Sequence, residues 1–152
     1  MILQFREAVE VDVPALVAML ADDDIGTQRE DPSLPLHQAY VDAFAAIEAD
    51  PNNELVVVVH EEQLVGMLQL TFIPYLTHMG TWRCQIEGVR IHRDFRGKGL
   101  GTQFFAWAIA RAKERGCKLV QLTTDKRRPD AIRFYEQMGF AATHEGFKMK
   151  LS

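Results

Sequence analysis

Between a strand-like run, Ile86-Glu87-Gly88-Val89-Arg90-Ile91, and a long amphipathic helical pattern sits the turn Arg96-Gly97-Lys98-Gly99-Leu100-Gly101. Its glycines permit backbone conformations closed to other residues and let a ligand approach the main chain. The helix that follows begins with amides that no helical carbonyl can pair, and its dipole is positive at that end. A strand must enter this turn and a helix must leave it. A ligand ending in phosphates suits the place where they meet. Neither common nucleotide fingerprint fits. A P-loop needs its Lys directly after the last Gly, followed by Ser or Thr, whereas Lys98 lies between glycines. A dinucleotide fold wants Gly-x-Gly-x-x-Gly beside the first strand and an acidic residue downstream. A tight connection without a ligand is the plain alternative.

The 152 residues suffice for one domain, 1–152, that needs neither metal nor disulfide to hold a core. Cys84 and Cys117 fit no zinc or Cys-x-x-Cys spacing and read as two reduced, mostly buried thiols. With no signal-peptide pattern and no long apolar run, the expectation is a cytoplasmic protein without a membrane partner. His78, His92 and His144 are not spaced as a metal set, so no metal is expected.

The net charge of −4 conceals an asymmetry: Met1–Glu62 carries 14 Asp/Glu against Arg6 and Arg29, and the remainder 15 Lys/Arg against 7 Asp/Glu. The basic half suits a polyanionic ligand and the acidic half a cationic one, a solvated surface being the alternative for the latter. Nucleic acid is not an expected partner of a chain this acidic overall.

Hydrophobic periodicity and breakers give the element order β-α-α-β-β-β-α-β-α-β. Ile2–Ala8 reads as a strand. Asp12 and Pro14 start a helix over Ala15–Leu20, and a long loop, Asp22–Pro35, follows. Leu36, Tyr40, Phe44 and Ile47 mark a second helix. Leu55–His60 and Leu64–Ile73 form an antiparallel hairpin, and Thr81–His92 is the next strand, with Gly88 a ready place for a bulge. Leu100, Phe104, Trp107, Ala108 and Ala112 line one face of the following helix, which stops at Gly116. Lys118–Thr124 should pair parallel with the strand before that helix, through a right-handed crossover. Pro129 opens a last helix, Asp130–Met138, closed by Gly139. Phe140–Ala142 and Gly146–Leu151 are expected to supply one or two terminal strands.

This order and two local motifs resemble the GNAT superfamily of acyl-CoA-dependent N-acetyltransferases. The signature Arg/Gln-x-x-Gly-x-Gly/Ala is matched by Arg96, Gly99 and Gly101, after a strand exit, Val89-Arg90-Ile91-His92-Arg93-Asp94-Phe95, that looks like the family's. Arg133-Phe134-Tyr135-Glu136-Gln137-Met138-Gly139-Phe140 resembles its last-helix motif. The resemblance implies an α+β, sandwich-like fold: a mixed, mostly antiparallel sheet of about 6–7 strands with a splayed parallel pair, and about 4 helices.

It also implies acetyl-CoA as co-substrate and direct transfer of acetyl to a primary amine of a small molecule or peptide. The pyrophosphate would lie on the amides of Gly97, Lys98, Gly99, Leu100, Gly101 and Thr102, with Arg96 and Lys98 adding charge. The pantetheine arm would run along Val89, Arg90 and Ile91 as a pseudo-strand, with the Val89 N–H donating to the thioester carbonyl. Glu87 is the candidate base, being the carboxylate on the strand that leads into that site. The alternative is an exposed or salt-bridged strand residue. Because strict alternation would put Glu87 on the face of Val89 and Ile91, a bulge near Gly88 is expected to re-aim the chain. Tyr135 is the candidate acid toward the thiolate, against a plain packing role beside Phe134. Many relatives carry an asparagine after the fifth strand. This chain has Thr123-Thr124-Asp125-Lys126, and Thr124 is the candidate for that contact. Asp22, Asp23, Asp24, Glu30 and Asp31 favour a cationic acceptor. Dimerisation, common in the family, is compatible with the chain. A non-catalytic acyl-CoA sensor is the rival reading.

Overall fold

The computed structural model describes residues 1–152. In chain order the elements are β1 (Gln4–Glu7), a 3-10 turn (Glu10–Asp12), α1 (Val13–Ala21), α2 (Gly26–Arg29), α3 (Gln38–Ala49), β2 (Asn53–His60), β3 (Gln63–Pro74), the one-turn α4 (Thr77–Gly80), β4 (Trp82–Ile91), a second 3-10 turn (Arg93–Phe95), α5 (Leu100–Glu114), β5 (Leu119–Gln121) and α6 (Pro129–Met138). The chain divides into two units, Met1–Gln121 and Leu122–Ser152.

The first unit holds a five-stranded sheet in the order β1-β2-β3-β4-β5. The first three pairings are antiparallel and β4–β5 is parallel, joined through α5 as the alternation of strand and helix requires. The sheet is thus mixed and mostly antiparallel as expected, but it has five strands rather than about 6–7, and six helices rather than about 4. The two extra helices, α2 and α4, are single turns. Their breaker-rich sequences read as loop because four residues carry too little periodicity to register.

Successive strand residues point to opposite faces, and the two faces are packed differently. On one, Val56, Val58, Leu68, Leu70, Phe72, Cys84 and Ile86 are buried, as are Leu100, Phe104, Phe105, Ala108 and Ala112 of α5. Phe104 lies so close to β3 that a Cβ on Gly66 would meet its ring at 2.4 Å, so close packing requires glycine there. On the other face, Val57 and Met67 join Val13, Leu16, Val17 and Met19 of α1 and Phe44 of α3 in a second cluster. Pro14 opens α1, where a missing N–H costs nothing. At its start Arg6 Nη1 donates to Asp12 Oδ2 at 2.8 Å. Gly116, at φ 77°, ends α5 in the left-handed region.

In the second unit, Pro129 starts α6 and Gly139, at φ 105°, ends it, with the Phe140 N–H donating to the Tyr135 carbonyl at 3.0 Å. The terminal strands expected at Phe140–Ala142 and Gly146–Leu151 are not formed. Phe147, Met149 and Leu151 do alternate with Lys148 and Lys150, yet they are 94%, 84% and 93% exposed. Alternation assigns side chains to a face, but a strand exists only with a ladder partner, and these residues have none.

Candidate active site

The strand fork lies at the parallel edge of the sheet. β5 pairs with β4 only at Arg83↔Leu119, Cys84↔Val120 and Gln85↔Gln121, while β4 continues to Ile91. Past Gln85 the main chain of β4 has β3 on one side and no strand on the other. The expected bulge falls in this stretch. The register with β3 runs Gln69↔Glu87 and then Met67↔Arg90, so Gly88 and Val89 together oppose Leu68, and Gly88 takes φ 62°. The bulge separates Glu87 from Val89 as alternation alone would not. The Val89 side chain joins Leu68, Ile86, Phe104, Phe105 and Ala108 around a small apolar space. Glu87 is exposed and shares its face with Gln69, its cross-strand partner.

That face carries a row of amides. Gln85 Nε2 donates to Glu87 Oε1 at 3.4 Å, Gln121 Nε2 to Gln85 Oε1 at 2.8 Å, and Arg83 Nη1 to Gln121 Oε1 at 3.1 Å. On β3, Gln69 and Thr71 both donate to Asn53 Oδ1, at 3.2 Å and 2.8 Å. Gln85 and Gln121 therefore staple the fork where the ladder ends, and Gln85 holds the carboxylate of Glu87. Arg83, Gln85 and Gln121 belong to no motif in the sequence and join the site only through the fold. Arg83 and Gln85 share a period of two with Glu87 on β4, a pattern any solvated strand face also shows, and Gln121 lies on β5.

The glycine turn continues from the strand exit. Gly97 and Gly99 sit at φ 76° and 74°, and a Cβ on either would meet no atom within 4 Å, so glycine is required by the backbone while the space above stays open. Gly99 is the N-cap of α5 and caps nothing with a side chain, leaving the first amides of a 15-residue helix without an intramolecular acceptor from the cap. Leu100 is buried and anchors the helix start, Gly101 is half-buried, and Thr102 is exposed. Lys98 Nζ lies 5.6 Å from the Phe95 ring centre. Open space, bare amides and two cations fit a diphosphate.

Arg96 is held from two sides. Its Nε donates to the Ile91 carbonyl at 3.0 Å, and its Nη2 lies 3.5 Å from Asp22 Oδ2. Arg93 also pairs with Asp22, its Nε at 3.1 Å, and Arg90 Nε lies 3.7 Å from Asp23 Oδ2. The arginines of the strand exit thus face the acidic residues after α1. Asp22 and Asp23, read in sequence as attracting a cationic acceptor, are matched within the protein. Glu30 accepts from Tyr40 Oη at 2.9 Å, and Ser33 holds Asp31 below the usual carboxylate range.

Thr124 and Tyr135 belong to the second unit, both half-buried. Tyr135 packs edge-on against Phe134 and Phe140, at 5.7 Å and 6.0 Å between ring centres. No group of three or more His, Cys, Asp or Glu is placed to hold a metal ion, and no helix is long and apolar enough to cross a membrane. Burial pushes the Cys84 thiol up to about 12, which leaves it protonated and unsuited to carry an acyl group.

A sheet forked beside a bulge, running straight into a helix that starts on bare amides, is the framework of an α+β acyltransferase. The sequence profile of the Acetyltransferase (GNAT) family matches residues 20–140, and the chain belongs to that family. It is 33% identical over 115 residues to the aminoalkylphosphonate N-acetyltransferase of Salmonella typhimurium, covering 76% of this chain and 74% of that one. A crystal structure of a protein called a transcriptional regulator, from Bacillus halodurans, shares 58% identity with a TM-score of 0.95 over 99% of this chain and 100% of that one. A putative acetyltransferase from Agrobacterium tumefaciens shares 28% identity with a TM-score of 0.82, covering 97% and 99%. The protein is an N-acetyltransferase of a family whose donor is acetyl-CoA.

Proposed function

We propose that the protein moves acetyl from acetyl-CoA directly to a primary amine of a small molecule, with residues 1–152 working as one catalytic domain. The observation that carries the donor assignment is the fork: β4 loses β5 at Gln85 and leads within a few residues to the uncapped start of α5. A peptide-like arm takes the place of the missing strand along Val89, Arg90 and Ile91, and its pyrophosphate rests on the amides from Gly97 to Thr102 beside Arg96 and Lys98. Thr124 supplies a further hydrogen bond to the arm. The Val89 N–H polarises the thioester carbonyl.

Glu87 takes a proton from the incoming ammonium, and the freed lone pair attacks the carbonyl carbon. The C–N bond forms, the C–S bond breaks, Tyr135 gives its phenolic proton to the leaving thiolate, and the second proton shed by the nitrogen as the amide forms restores the phenol. The acceptor to test first follows the Salmonella relative, which by its name acts on aminoalkylphosphonates. The pairing of Asp22 with Arg93 and Arg96 removes part of the charge argument for a purely cationic acceptor.

The test is release of coenzyme A from acetyl-CoA, followed with a thiol reagent, across 2-aminoethylphosphonate, amino acids, uncharged amines and diamines. Amine-dependent release that falls at least about 100-fold in Glu87→Gln is expected. The name of the Bacillus halodurans relative favours a second reading, in which acyl-CoA occupancy is itself the signal. Tight binding of acetyl-CoA with no release on any amine would select it.

A further inference from the structure

We infer that Arg83 is the acceptor's anion anchor, so that the enzyme selects amines carrying a phosphonate or similar anionic group and holds that group on the open face of β4, toward Arg83 from Glu87. The inference rests on the proposed role of Glu87 and assigns the substrate class of the same site.

Arginines elsewhere in the first unit face carboxylates: Arg6 meets Asp12, Arg93 and Arg96 meet Asp22, and Arg111 and Arg115 meet Glu54. Arg83 has no carboxylate. Its hydrogen bond goes to a neutral amide, Gln121, and its guanidinium lies 4.2 Å above the Tyr75 ring centre. Its Nε–H is buried with no acceptor, so that edge of the group has lost its water without compensation. A half-buried guanidinium in this state has donors left on its terminal nitrogens and an unmet need for negative charge.

Its direction matters as much. The register partner of Arg83 is Leu119, but its hydrogen bond reaches Gln121, which lies opposite Gln85. The side chain therefore leans along β4 toward Glu87, and a chain of hydrogen bonds through the amides of Gln121 and Gln85 links guanidinium to carboxylate. A cation at one end, a base at the other and neutral amides between match a short zwitterion whose amine meets Glu87 and whose anion meets Arg83. A diamine would set its second cation against Arg83, which disfavours it. A phosphonate offers the guanidinium two oxygens at once.

The experiment compares kcat/KM for 2-aminoethylphosphonate, n-propylamine and 1,3-diaminopropane in the wild type, Arg83→Ala and Arg83→Lys, alongside calorimetric binding of 2-aminoethylphosphonate to the coenzyme A complex. Because the readout is a ratio between substrates within one variant, loss of folded protein cancels. The phosphonate is expected to be preferred by the wild type, the phosphonate-to-propylamine ratio to fall roughly 10- to 100-fold in Arg83→Ala, and Arg83→Lys to keep part of it. An unchanged ratio in Arg83→Ala, or a wild type that prefers the diamine, overturns the anchor and leaves acetyl transfer standing. Binding of the phosphonate that needs Arg83 but yields no coenzyme A overturns the transfer reading and supports the anchor. Neither binding nor turnover overturns both.

Discussion

β4 serves two faces that are built on opposite terms. Toward α5, Cys84 and Ile86 are buried against packed aromatics, and Gly66 on the neighbouring strand gives up its side chain to let Phe104 in. Toward the other side, Arg83, Gln85 and Glu87 occupy the alternate positions, linked by side-chain hydrogen bonds in place of a buried apolar layer. A dry face holds its shape through excluded volume, whereas an open polar row needs a rigid backing to keep its groups in place. The closed face is what allows the open one to be a site. The Gly88 bulge marks the exchange between them, for it turns Val89 into the packed face directly after Glu87 has pointed out of it.

If that division holds, damage to the closed face should unfold the protein, and damage to the open face should stop it working. The largest effect is expected from Gly66→Ala, whose Cβ would press on the Phe104 ring at 2.4 Å and on the Arg90 carbonyl oxygen at 2.7 Å. Overpacking against a ring and backbone should cost about 3–4 kcal/mol in urea denaturation. A cost under about 1 kcal/mol would show that the closed face yields. Glu54→Ala comes next. Glu54 is buried on the α5 side, with Arg111 Nε at 2.9 Å and Arg115, stacked 4.1 Å from the Phe72 ring centre, at 3.4 Å. Removing the carboxylate takes the buried anion from two guanidinium groups, leaving Arg111 with the exposed Glu114 and Arg115 with the neutral Pro51 carbonyl and Asn52, a loss of about 3 kcal/mol by the same assay.

Glu87→Gln should do the reverse. The side chain is exposed and accepts one long hydrogen bond, so the midpoint of unfolding should move little, while turnover falls at least about 100-fold, or about 2.7 kcal/mol of barrier. A variant that lost stability and kept its rate would invert the comparison.

The difference between the faces also governed what could be read in advance. The closed face was legible because apolar residues at period two on strands and at helical spacing on α5 have one physical meaning, burial. The turn at Gly97 and Gly99 and the bulge at Gly88 were legible because positive φ is a glycine signature, and all three adopt it. The polar row was not. Alternating Arg, Gln and Glu on a strand look the same whether they meet water or one another, and the Gln121–Gln85 staple spans 36 residues of sequence. The pairing of Asp22 with Arg93 spans 71, so the charge count registered an acidic cluster where the fold makes a matched one. At the C-terminus, Phe147, Met149 and Leu151 carried the pattern of a strand but no information about its partner.

Gly99→Ala tests the rim of the donor site with a smaller effect. A Cβ there meets no neighbour, so the penalty comes from φ 74° alone, about 1 kcal/mol of stability. If α5 begins where a diphosphate rests, KM for acetyl-CoA should rise several-fold as the turn relaxes. An unchanged KM would detach the turn from the donor.

The smallest effect is expected where neither face is involved, at the clip between Arg6 and Asp12 beside the start of α1. Hydrogen bonds from Arg6 hold the Asp12 carboxyl below the usual carboxylate range, with help from the Val9 N–H. A carboxyl whose folded value is depressed stabilises the fold above its unfolded value, about 4, and loses that contribution as pH falls through the folded value. The Arg6 side chain is 38% exposed, so screening limits the pair to about 0.5–1 kcal/mol. Asp12→Asn should therefore unfold at lower urea than the wild type at pH 6, with the gap closing below about pH 4. A gap that persisted at pH 3 would assign the effect to packing at the start of α1 instead of charge, and would extend the closed face to this corner.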